Sequence, residues 1–310
     1  MKRLIVTTAD DKFAPGTALL LYSLKRNMVR FAETDVKVLY TNLSDENKKM
    51  IKSVLSRVQF EKPDMDFCAG IKTLYGADNQ DTYLCLEAFR QHEYDQVICL
   101  DSDMLCIGDI SPLLGYDKVI MACIGKRNLN TKEQTYHHGI DKFNAGFMVI
   151  GKQILQNNRV YQDLTSIVRH IRDNKRDGLY NVFGDNRKVF NDQDVIRVYF
   201  SSAPTHILPD WYNFKNFCLG PNFEETNKIF DTHQNDVKIL HFSGKRKPWA
   251  NKTDRSGGPV DGKIAGIYDV CSVADPEEMN NSAACHIWHD YYEECFGEKC
   301  INDWYRHDRS

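Results

Sequence analysis

From Arg3 to Phe242 the chain repeats one pattern: a short apolar run, then a segment whose apolar residues recur every three or four positions. "RLIVTTA" (Arg3–Ala9) reads as a strand, and "TALLLYSLKRNM" (Thr17–Met28) as the helix after it. "VKVLY" (Val36–Tyr40) is a second strand, followed by a helix that Ser44 caps. A helix over Thr82–Glu93 precedes the strand "QVICL". Short strands are expected near Val119–Ile124 and Gly146–Ile150, then one long helix from about Gln153 to Asp173. A further helix starts at "DQDVIRVYF", and "VKILHF" (Val237–Phe242) is a late strand. Strands that alternate with helices predict an α/β fold, with a mostly parallel central sheet flanked by helices on both faces. With 310 residues, 42% of them hydrophobic, the chain is long enough to fill such a core. Its 43 acids and 40 bases give a net charge of −3, which disfavours nucleic acid or a membrane surface as the partner.

In sheets of this kind ligands sit beyond the carboxyl ends of the strands. "VICLDSDMLC" (Val97–Cys106) places Asp101 and Asp103 at such an end. Two carboxylates beside a buried strand repel each other and lose hydration, so cations, backbone N–H groups or a metal ion must compensate. Alternation in an extended segment would point both side chains the same way. Hard divalent ions take such oxygen ligands and often keep phosphate oxygens as further ones. The plainer reading is a turn cap at Asp101 and a solvated Asp103.

"ILHFSGKRKPW" (Ile239–Trp249) adds an imidazole, His241, at a strand end, then Gly244, Lys245, Arg246 and Lys247. Glycine lets backbone N–H groups approach an anion closely, so the segment reads as a metal ligand beside a grip on a diphosphate. An imidazole with two carboxylates favours Mn²⁺ over Mg²⁺. "FNAGFMVI" (Phe143–Ile150) sets Asn144, Ala145 and Gly146 before a strand. "NDQDVI" (Asn191–Ile196) presents Asp192 and Gln193 at a helix start, where Asp192 serves either as the helix cap or in the site.

Together with "LIVTTADDKFAPGTALLLYSL" and "ICLDSDMLCIGDI", these segments resemble the glycogenin-like glycosyltransferases of family 8. The resemblance spans residues 4 to about 250. It implies a GT-A, Rossmann-like fold and a retaining enzyme that takes a UDP-sugar with Mn²⁺, Mg²⁺ being the alternative ion. The family's metal ligands fall on Asp101, Asp103 and His241, and its diphosphate contacts on Gly244 and Lys247. Val6, Thr7 and Thr8 match the strand that lines the uridine site, with Phe13 beside the base. Ser102 joins the donor-binding set. Asn144 and Ala145 match contacts to the donor sugar, and Asp192 and Gln193 the pair beneath the anomeric carbon. One departure concerns the helix before the Asp-Ser-Asp strand. The family carries Lys or Arg there, whereas this chain has Cys85, with Arg90 further on. The family's self-glucosylating members modify a tyrosine shortly before the histidine strand. The equivalent stretch here, Phe214–Val237, has no tyrosine, which points to an external acceptor hydroxyl on a glycan. The family includes homodimers.

Residues 1–250 are therefore expected to form the catalytic domain, and 251–310 a polar, glycine-containing linker and a C-terminal helical extension opened by Asp275 and Pro276. The start "MKRLIVTTADDKF" has too short an apolar run for a signal peptide, and no stretch spans a bilayer, so a cytoplasmic location is expected. Ten cysteines are then reduced thiols. Cys285, Cys295 and Cys300 with His286 and His289 lack the paired spacing of a zinc site. The competing functions are a metal-dependent phosphoesterase or nucleotidyltransferase, and a non-catalytic UDP-sugar-binding protein.

Overall fold

The computed structural model describes residues 1–71, 80–116, 120–124, 134–136, 143–174, 179–182, 185–188, 191–200, 205–215, 223–243, 247–249 and 283–297. In chain order the elements are β1 (Arg3–Ala9), α1 (Ala14–Asn27), β2 (Asp35–Tyr40), α2 (Asp45–Val54), β3 (Gln59–Glu61), a 3₁₀ helix (Gln80–Arg90), β4 (Gln96–Leu100) and β5 (Met104–Cys106). Then follow β6 (Ile120–Ile124), β7 (Gln134–Tyr136), β8 (Phe143–Gly151), α3 (Lys152–Leu155), α4 (Asn158–Asn174), β9 (Leu179–Val182) and β10 (Asp185–Lys188). The last are α5 (Asp192–Tyr199), β11 (Thr205–Leu208), β12 (Phe214–Lys215), α6 (Phe223–His233), β13 (Ile239–His241) and α7 (Ala283–Phe296).

An eight-stranded sheet runs β3-β2-β1-β4-β8-β6-β11-β7. Its first four strands are parallel, β8 is antiparallel to both β4 and β6, and β11 is parallel to β6 and antiparallel to β7. Side-chain alternation supplies two cores. Leu4, Val6, Val97, Cys99, Met148 and Ile150 face the 3₁₀ helix, α4 and α5. Ile5, Ile98, Leu100, Phe147 and Val149 face α1 and α2. Fully burying one such side chain is worth roughly 1.5–3 kcal/mol, so apolar runs without alternation settle on a sheet covered on both faces.

Four local expectations change, the last of them at Asp101–Asp103. The 3₁₀ helix replaces an α-helix over Thr82–Glu93. Tyr83, Leu84, Cys85, Leu86, Ala88 and Phe89 are all buried, and an apolar pattern of this kind marks a helix without telling 3₁₀ from α. The expected long helix is two, α3 and α4, because Asn157 Oδ1 accepts the Arg159 N–H (3.2 Å) and caps a new start. The cap of α5 is Asn191, whose Oδ1 accepts the Asp194 N–H (3.0 Å), which leaves the Asp192 carboxylate for another role. Asp275, Pro276 and the linker lie outside the described residues.

A second sheet, β12-β13-β5, joins the first through β5, which follows the carboxyl end of β4. β4 ends at Leu100 and β5 begins at Met104, so Asp101–Asp103 form the turn between the two sheets, not the extended segment expected. The β13–β5 register pairs His241 with Met104. That register sets the late histidine beside the acidic turn.

Candidate active site

The turn is held from both sides. Asp101 N–H donates to the Gly146 carbonyl (2.8 Å), and Phe242 N–H donates to the Asp103 carbonyl (2.9 Å). His241 Nε2 then lies 3.6 Å from Asp101 Oδ2 and 3.2 Å from Asp103 Oδ1. One ligand atom from each of the three falls within 4.8 Å of the others, and among the described residues no other group of this kind occurs. Cys285, His286 and His289 thus form no such cluster; Cys300 lies outside the described residues.

Gly146 makes this convergence possible. A Cβ there would stand 2.6 Å from Asp101 Oδ2, 2.7 Å from His241 Cε1 and 3.0 Å from Asn144 Oδ1.

The histidine tautomer follows from its second nitrogen. His241 Nδ1 is 2.7 Å from Asn213 Oδ1, while Asn213 Nδ2 donates to Asn144 Oδ1 (2.7 Å). With its oxygen towards the ring, Asn213 requires a proton on Nδ1, so Nε2 of the neutral imidazole presents a lone pair to the carboxylates. The relay continues: Asn144 Nδ2 and the Ala145 N–H both donate to Gln193 Oε1 (2.9 and 3.1 Å). Asn213 escaped the sequence reading. Its signal was a lone amide inside the apolar aromatic run Trp211–Phe214.

The electrostatics ask for a cation. Asp103 Oδ1 is buried and accepts no hydrogen bond, because the imidazole nitrogen that faces it carries a lone pair and no proton. Burial and the charge of Asp103 push the Asp101 carboxyl above its ordinary range. Burial opposes ionisation of Asp103 too, but the Lys247 ammonium outweighs it and holds that carboxyl below the usual range. Lys247 Nζ pairs with Asp103 Oδ2, donates to the Phe242 carbonyl (2.9 Å) and lies 5.4 Å from the Phe13 ring centroid. Two carboxylate oxygens, one unsatisfied, with one oriented imidazole nitrogen fit a divalent metal ion.

The other candidates distribute as follows. Val6 and Thr7 are buried within the sheet, and Thr8, half-buried, follows the Thr7–Leu100 pair at the same edge as Asp101. Phe13 stands before α1, and Ser102 sits buried inside the turn. Asp192 is met by the Cys85 thiol, which donates to Oδ2 (3.0 Å). Burial raises the Asp192 carboxyl to about 6, and burial together with Asp192 raises the Cys85 thiol well above its ordinary value. Arg90 supplies no charge here: it pairs with Glu61 (2.6 Å) and Glu87 (2.9 Å). Gly244 lies outside the described residues.

The sequence matches Glycosyl transferase family 8 over residues 4–253. It is 20% identical to General stress protein A of Bacillus subtilis, over 80% of this chain and 88% of that protein. It is 22% identical to Glycogenin of Komagataella phaffii, over 84% of this chain and 62% of that protein. Among solved structures, galactosyltransferase LgtC, in complex with donor and acceptor sugar analogues, superposes with a TM-score of 0.56 at 19% identity, covering 89% of this chain and 99% of LgtC. The bifunctional glycosyltransferase WbbM superposes with a TM-score of 0.58 at 17% identity, over 94% of this chain and 51% of WbbM. The architecture is therefore the GT-A fold. These matches do not favour a phosphoesterase, a nucleotidyltransferase or a non-catalytic binding protein. The chain belongs to glycosyl transferase family 8 and is a glycosyltransferase that uses a nucleotide sugar.

Proposed function

We propose that this enzyme moves a hexose or pentose (glucose, galactose or xylose) from a UDP-sugar to an external acceptor hydroxyl of a glycan, with retention and with Mn²⁺ as cofactor. The observation that carries the reading is the convergence of Asp101, Asp103 and His241 at the carboxyl ends of the central strands. These three residues would hold the ion. Bound there, it would neutralise charge on the diphosphate and stabilise the leaving group.

The remaining steps belong to the chain's own residues. Lys247, beside Asp103, would hold a phosphate oxygen as negative charge develops on the departing UDP. Thr8 and Phe13, at the edge of β1 and the start of α1, flank the uridine position. Asp192 and Gln193 face the donor sugar from α5. Because Gln193 Oε1 already accepts two N–H groups, its free contribution is the amide N–H₂, a donor and not a nucleophile. Asp192 is the nearest candidate for a covalent intermediate, but its Oδ2 already accepts the Cys85 thiol, so the route preferred is attack by the acceptor hydroxyl on the face the UDP leaves, with retention.

A screen of UDP-glucose, UDP-galactose and UDP-xylose for UDP release tests this. Mn²⁺-dependent release from at least one donor, raised by a glycan acceptor, is expected. Release of inorganic phosphate or pyrophosphate in its place, or no release from any UDP-sugar, overturns the proposal.

A further inference from the structure

The helix α7 lies beyond the residues that match the family, yet it carries one end of an aromatic column that reaches the site. Phe13 meets Trp249 edge-on (centroids 5.9 Å apart), Trp249 meets Trp288 at 5.5 Å, and Tyr292 stacks behind Trp288 at 5.3 Å. Trp288 is 1% exposed. The segment Lys247–Trp249 belongs to no helix or strand, so side-chain anchors fix its path. Trp249 supplies them. Its Nε1 donates to the Lys12 carbonyl (2.9 Å), and its ring lies so close to Gly16 that a Cβ there would stand 2.5 Å from Cη2. Two residues earlier, Lys247 turns back to Asp103 and to the Phe242 carbonyl.

We propose that Trp288 is a positioning residue for the donor diphosphate: it backs Trp249, which in turn aims Lys247 at the metal-binding acids, so α7 is a working part of the donor site. The inference rests on Lys247 being the lysine that holds the diphosphate. A ring against a ring resists displacement more than its buried area alone implies, and Trp249 has one face on Trp288. Without that face the lysine would sample positions from which it cannot meet a phosphate oxygen, and donor affinity would fall although no residue touching the donor had changed.

The test compares Trp288→Ala, Trp288→Phe and Glu294→Ala in the full chain. Glu294 joins α7 to Arg26 by an exposed ion pair away from the column, and serves as a docking control. Two readouts are taken: the Kd for UDP in Mn²⁺, and amide hydrogen exchange in the peptide that contains Lys247–Trp249. Trp288→Ala is expected to raise the Kd on the order of tenfold and to speed exchange in that peptide. Trp288→Phe restores both, and Glu294→Ala leaves both as in the wild type. A folded Trp288→Ala with wild-type Kd and wild-type exchange overturns the proposal, as does a lowered melting temperature with no change in either readout. If Trp288→Ala does not fold, Trp288→Leu, apolar but ringless, takes its place in the same comparison. If the wild type binds no UDP, the donor reading fails separately, and exchange at Lys247–Trp249 alone decides whether Trp288 holds the segment.

Discussion

Asn213 is bonded to neither Asp101 nor Asp103, yet it decides which nitrogen of His241 faces them. Ligand-orienting partners of this kind are typically worth about 10–100-fold in metal affinity. Asn213→Ala should therefore weaken Mn²⁺ binding by roughly that factor. Titration calorimetry checks it, and an unchanged affinity would show that the histidine keeps its orientation unaided. Asp192 makes a prediction about pH. Burial raises its carboxyl from 3.8 to about 6, so the folded chain holds that proton more tightly than the unfolded chain does. Its contribution to stability is fully present below pH 3.8 and is lost as pH rises through about 6. Asp192→Asn removes the charge at every pH. The melting temperature of the variant relative to wild type should be higher at pH 8 than at pH 4, and scanning calorimetry at the two values checks the sign. At this scale the acids, the histidine and Gln193 stood out in the sequence because polar residues at the ends of apolar runs need a reason. Asn213 did not, because its role depends on a partner 28 residues away.

The elements explain why these side chains meet. β13 pairs with β5 in a register that sets His241 opposite Met104, next to Asp103. β8 adds Gly146 against the same turn, and its missing side chain is the space in which Asp101 and His241 converge. Gly146→Ala should displace both groups. Overpacking of this kind costs about 1–3 kcal/mol, which urea unfolding would report. Metal-dependent UDP binding should be lost in protein that is still folded, and retention of that binding would show that the turn can yield. Most elements could be read from the chain: β1, β2, β4, α1, α2 and α5 fall close to their expected positions. The failures have physical causes. The helix at Gln80–Arg90 was legible, but its apolar pattern does not tell 3₁₀ turns from α-helical ones. Two- and three-residue strands such as β5 and β12 exist only because a partner strand is present.

At the scale of the whole molecule, the alternation of strands and helices was enough for the fold class, but not for the second sheet, which pairs His241 with Met104. No helix among the described residues is long and apolar enough to cross a membrane. Everything proposed about chemistry passes through one cluster, in which an unsatisfied buried carboxylate oxygen and an oriented imidazole nitrogen face each other at 3.2 Å. The most direct measurement is the electron paramagnetic resonance signal of free Mn²⁺, titrated with protein in the presence of UDP. Wild-type protein should deplete the signal to one ion per chain, and Asp103→Ala and His241→Ala should leave it nearly intact. Equal depletion by the wild type and both variants, or none by the wild type, would contradict the account.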